Sequence, residues 1–221
     1  MSCRFSLGVL SVAAAASILM SQSGVAQAPF EGVVTMRMPS AAMAADMTYS
    51  IKGDHFRMDM SGPGGMSMYV LVDAAQGTSQ IVMPTQQMYM EQPAGGMRGR
   101  GRGPATASEP QWTGKKETIA GYECEHAIVT EGSEQVDVCL AKGIGTFRMG
   151  GSPMGRGGPT PAWQRGLGNG LFPLKAQNLH GDVLLEVTKI EKKSLDSSLF
   201  ALPDGFQKMD MGGMMRGRPP R

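Results

Sequence analysis

The side chains here with the widest chemical scope are thioethers. Methionine occurs 20 times in 221 residues, and much of it falls in Met-x-Met pairs: Met36 with Met38, Met58 with Met60, and Met88 with Met90. Three chemistries suit such pairs. Methionine can replace Val, Ile or Leu in a core, or it can line a groove that adapts to varied apolar ligands, because its chain is flexible and its sulfur polarizable. Its sulfur can also ligate a soft ion such as copper(I). Along a strand, alternate side chains share a face, so each pair presents both sulfurs on one side. Met47, Met68 and Met83 follow the same apolar alternation. His55 falls on the opposite face from Met58, and no histidine joins a pair on its own face, which weighs against copper inside a sheet. Met97, Met154, Met211, Met214 and Met215 lie in glycine-rich tracts where packing does not account for them. Of these, Met211, Met214 and Met215 are candidates for weak soft-metal binding or for sacrificial reaction with oxidants.

The cysteines carry a different chemistry. Cys3 lies in a leader-like segment, which leaves Cys124 and Cys139 as an even pair, and in an oxidising compartment such a pair reads as a disulfide. A turn at Glu131-Gly132 would set the two directly across a hairpin, within bonding reach. Their spacing is not Cys-x-x-Cys, which argues against a redox motif. His126 and His180 stand at irregular distances from them, which lacks a zinc signature; His126 reads instead as a strand residue packed beside the disulfide. Asp59, Asp73 and Asp137 read as solvent-side or turn carboxylates. Gly-x-Ser-x-Gly, a Walker loop and paired carboxylates are absent from the strand regions, so the expectation is a non-enzyme with no cofactor.

The elements that must position these residues are strands. Phe30, Gly32, Val34, Met36 and Met38 alternate with more polar neighbours, as do Met47, Tyr49 and Ile51, and then Phe56, Met58 and Met60 after a Gly53-Asp54 turn. Such alternation predicts strands buried on one face. MSMYVLVDA, TSQIVMP and QQMYMEQ continue the series, joined at Gln76-Gly77 and Pro84-Thr85. GYECEHAIVT, QVDVCLA, LKAQNL and DVLLEVTKIEKK add four, for ten strands in all. Helical periodicity is confined to short pieces near PAWQRGLGNGLF and SLDSSLF. The expected fold is mainly β, a curled antiparallel meander.

Residues 1–26, with Arg4, an apolar run from Leu7 to Met20 and an Ala-x-Ala ending at Ala28, have the layout of a signal peptide. The expectation is therefore an exported protein, periplasmic or secreted, with no membrane span, the apolar run being too short. Residues 27–210 would form one β-rich domain, interrupted by Gly/Arg-rich loops at 93–110 and 150–162 and followed by a disordered tail at 211–221. The formal net charge of +2 gives no overall pull toward nucleic acid.

Five fragments in order, GVVTMRM, YSIKGDHFRMDM, VMPTQQMYME, KETIAGYECEHAIV and SSLFALPDGFQKM, resemble an exported bacterial family of unknown function, the DUF4412-type domain. That family is similar in turn to the outer-membrane lipoprotein carriers LolA and LolB. The resemblance implies an unclosed half-barrel with short helices covering a hydrophobic cavity. The Gly/Arg tracts are not part of the family pattern. The combined expectation is a binding protein that holds a lipid or lipoprotein acyl chain on a concave face and meets an envelope partner protein. Met36, Met38, Tyr49, Phe56, Met58, Met60, Met88 and Met90 would line that face. The alternatives are soft-metal or oxidant chemistry at the exposed methionines, and an interaction module with a filled core.

Overall fold

The computed structural model describes residues 29–40, 43–61, 67–93, 109–131, 134–147, 162–165, 167 and 170–209. The expected signal peptide, the expected tail and, apart from their end residues, the two Gly/Arg-rich tracts lie outside the described residues.

Twelve strands form one sheet: β1 Glu31–Ser40, β2 Met43–Lys52, β3 His55–Ser61, β4 Ser67–Asp73, β5 Thr78–Met83, β6 Met88–Pro93, β7 Gln111–Ile119, β8 Tyr122–Glu131, β9 Glu134–Lys142, β10 Leu171–Asn178, β11 Val183–Lys192 and β12 Gln207–Lys208. Their order across the sheet is β12-β6-β5-β4-β3-β2-β1-β11-β10-β9-β8-β7. Two local meanders, β1–β6 and β7–β11, are thus joined edge to edge where β1 pairs with β11. Every pairing is antiparallel except that of β12 with β6. Local chemistry sets the joints. Gly53 and Gly77 take positive φ at tight turns, and Asp73 accepts the Gln76 amide. Pro84 opens a single 3-10 turn between β5 and β6. Pro173 has no amide to donate, and the β9–β10 register shifts just beyond it.

Two strands were not anticipated. β12 is only two residues long. β7 shows no buried face, because it is an edge strand with mostly exposed side chains, so no apolar alternation marks it.

The sheet is strongly curled. Tyr49 on β2 and Phe172 on β10, separated in the sheet by β1 and β11, bring their rings to 5.8 Å. Phe56 and Phe147 complete this aromatic centre, each 5.8 Å from Tyr49. Ile144 and Trp163, the latter on the one-turn helix α1 (Ala162–Arg165), join the same core. The concave face is therefore filled at its centre by aromatic rings. Among the described residues, helical cover amounts to α1 and a 3-10 turn at Ser197–Phe200, and that 3-10 turn packs on the outer face of β3, where Arg57 donates to the Leu199 carbonyl. There Tyr69, Leu71 and Val82 are buried beneath Leu202 and Phe206, with Arg57 stacked 3.8 Å above the Tyr69 ring.

The C-terminal segment is tied to β1 by one carboxylate. Glu31 accepts the Leu195 amide at 2.6 Å and pairs with Lys52 at 3.2 Å. The Leu195 hydrogen bond, aided by Lys52, holds the Glu31 carboxyl below its ordinary range. A lowered folded-state value stabilises at neutral pH, and that stabilisation is lost as pH falls through the folded-state value. Exchange of the Leu195 amide, followed by NMR, should therefore accelerate under acid relative to exchange in β2. An unchanged ratio would show that Glu31 does not hold this segment.

Candidate functional site

The strand registers align the methionines into rows. Met36 pairs with Met47, Met60 with Met68, and Met83 with Met88. The register of β2 on β3 (Tyr49 opposite Met58) and of β4 on β5 (Tyr69 opposite Val82) carries the row onward. One methionine from each of six successive strands thus lies in a single line across the concave face, β1 to β6. The next row inward holds Val34, Tyr49, Met58, Val70, Ile81 and Met90. All nine methionines expected on the apolar face do lie there.

Burial differs from one member of the line to the next. Met36 is fully enclosed and Met47 and Met68 are buried, while Met60, Met83 and Met88 are only partly covered. Among the other residues expected to line a groove, Tyr49, Phe56 and Met58 are buried by protein atoms, and Met38 and Met90 are partly buried against the core. The line sits toward the end of the sheet that carries the β1–β2, β3–β4 and β5–β6 connections. The aromatic centre lies on its other side, so the exposed part of this surface is a thioether rim over β3, β5 and β6. Met97, Met154, Met211, Met214 and Met215 fall outside the described residues.

Cys124 and Cys139 are disulfide-bonded, with Cα atoms 5.3 Å apart. The hairpin turn is centred one residue later than expected, which shifts the pairing by two residues. Glu131 pairs with Glu134, so Cys124 stands opposite Ala141 and Cys139 opposite His126, and the bond runs diagonally. No bulge is needed to put both sulfurs on one face, because residues offset by two share it. That face also carries polar groups. The His126 side chain is 3% exposed; its Nδ1 donates to Asp137 Oδ1 at 2.8 Å, and its Nε2 lies 3.2 Å from Glu117 Oε2. Asp137 is thus no solvent-side carboxylate but the anchor of a buried ring, and Gln177 also approaches it at 3.4 Å. Asp59 and Asp73 sit as expected, paired with Arg57 and closing a turn. Sequence spacing could not reveal the Glu117 contact, since it depends on β7 and its register with β8.

Among the described residues no helix is long and apolar enough to cross a membrane. The class defined by these observations is a mainly β protein built on one unclosed, curled antiparallel sheet. Within that class the chain belongs to the domain of unknown function family DUF4412, whose pattern matches residues 30–206. Among solved structures it is similar to PNGF-II in its C2 crystal form, at 14% identity over 85% of this chain and 32% of that one, with a TM-score of 0.49. The P21 form of PNGF-II gives a TM-score of 0.44 at the same identity and coverage. The chain thus spans about a third of PNGF-II's length. No curated protein matches it.

Proposed function

We propose that this chain is an exported, non-enzymatic protein of the bacterial envelope that holds an apolar chain, such as a lipid or lipoprotein acyl group, against the methionine rim. The observation that carries the reading is the line of Met36, Met47, Met60, Met68, Met83 and Met88, one per strand, of which Met60, Met83 and Met88 are partly uncovered. A rim of long, unbranched, polarizable side chains adapts to ligands of varied shape at little cost in strain. The interaction is mainly hydrophobic, with each buried methylene contributing about 0.8 kcal/mol. The resemblance to the lipoprotein carriers LolA and LolB supports the same class of ligand and adds an envelope partner that receives it.

The rim makes a definite prediction. Met60→Gln with Met88→Gln should weaken palmitate binding by about tenfold or more, measured by calorimetry, because polar amides replace apolar contact at the groove mouth. Met60→Leu with Met88→Leu should change it less than about threefold, since volume-conserving apolar swaps are well tolerated. Equal affinities for the glutamine and wild-type proteins would remove the rim as the site. Native mass spectrometry of protein purified without detergent tests the occupant: lipid-sized adducts support an acyl ligand, and a bare chain carrying copper overturns it in favour of soft-metal binding.

A further inference from the structure

The residues around the disulfide form a donor set that neither the fold nor the methionine rim explains. Glu117 on β7 stands opposite Cys124 on β8, and His126 on β8 stands opposite Cys139 on β9. Ligand atoms of Glu117, His126 and Cys139 all lie within 4.8 Å of one another, and Cys124 is bonded to Cys139. From this juxtaposition we propose that opening the Cys124–Cys139 disulfide creates a tetrahedral zinc site of two thiolates, one imidazole and one carboxylate.

Three features of the geometry favour a metal over a plain ion-pair cluster. First, Asp137 fixes the ring from behind through Nδ1, leaving Nε2 as the nitrogen that faces Glu117. A carboxylate on the far nitrogen is the usual support of a zinc-bound histidine. Second, the 3.2 Å between His126 Nε2 and Glu117 Oε2 matches the edge of a zinc tetrahedron, about 3.3 Å for N and O ligands at about 2.0–2.1 Å. Third, the two sulfurs need only separate to about 3.8 Å, the edge for zinc–sulfur bonds of about 2.3 Å. Lys175 approaches the other Glu117 oxygen, Oε1, at 3.9 Å and so leaves Oε2 toward the ring.

The chemistry balances with a dithiol as reductant. Thiolate attack on one sulfur and then release by the second thiol pass two electrons and two protons to the cysteine pair, and the reductant becomes a disulfide. Zinc then replaces the two thiol protons, which go to solvent. Glu117 lies on β7, which among the described residues is an edge strand of the sheet. The protein would thus exchange one crosslink for another: a covalent one when oxidised, a metal one when reduced.

The test is cobalt titration of the full chain, oxidised and after reduction with a phosphine under argon. The reduced chain should take up one equivalent, with a thiolate-to-cobalt charge-transfer band and the intense visible bands of tetrahedral cobalt, and zinc should displace it. The oxidised chain should show neither band. Cys124→Ser should weaken or abolish the charge-transfer band, while Glu117→Gln and Asp137→Asn should each weaken affinity about tenfold or more. Absence of the band in the reduced wild-type chain would overturn the proposal, as would affinity unchanged in both Glu117→Gln and Asp137→Asn. If reduction unfolds the chain, zinc must restore its β circular-dichroism signal, and failure to do so counts equally against the site.

Discussion

Replacing Phe172 with alanine will lower the unfolding free energy by about 3–5 kcal/mol, the range for deleting a fully enclosed aromatic side chain. Phe172 is completely buried, meets Phe147 edge-on at 5.4 Å and lies 5.8 Å from Tyr49. These contacts bridge the two sides of the curled sheet, so truncation removes packing from both at once. Dispersion contacts are lost on both sides, and a cavity remains. Urea unfolding monitored by circular dichroism measures the loss. A decrease below about 1 kcal/mol would mean that the curl does not depend on this aromatic bridge. The rim methionines at Met60 and Met88 are only partly covered, so leucine there should cost far less.

Gly32→Val should be comparably damaging for the opposite reason, overpacking. A Cβ at position 32 would run into the backbone carbonyl of Glu191 on β11 and come within 2.9 Å of the Phe30 ring. A ring can rotate aside, but a backbone carbonyl in a paired strand cannot without breaking the β1–β11 ladder. Crowding of a packed core costs about 1–3 kcal/mol when side chains can yield, and more when they cannot. The contrast is internal to the molecule. Gly53 and Gly77 have positive φ with open space around them, so substitution there strains only the local turn. Thermal unfolding of Gly32→Val beside Gly77→Ala measures the difference, and a larger drop in midpoint for Gly77→Ala would refute the collision argument.

Much of the sheet could be read from alternation because most strands have one buried face. That signal located ten strands with their inward residues, the methionines included. It failed for β7, whose side chains are nearly all exposed, and for β12, which is too short to show a period. The same failure hid the chemistry near the disulfide. His126 was correctly placed beside the cysteines, yet its partners Glu117 and Asp137 come from strands on either side, and only the registers bring them together. The methionine line is likewise invisible in one dimension. Each Met-x-Met pair reveals a face, but alignment across six strands is a property of register, and register depends on turn lengths more than on composition.

The join between the first and eleventh strands also dictates an order of events. Within each meander, neighbours in space are neighbours in sequence and can find one another as soon as they exist. The central ladder is different: Thr188 reaches the Thr35 carbonyl from 153 residues away. Closing so long a loop costs entropy before any contact compensates, which slows folding of such topologies. A chain emerging from its amino end can therefore form the first half-sheet but not the molecule, because β1 waits with one side unpaired until β11 arrives. The interval is one of exposed strand edge and uncovered thioether surface, the condition in which a folding chain is most prone to aggregate.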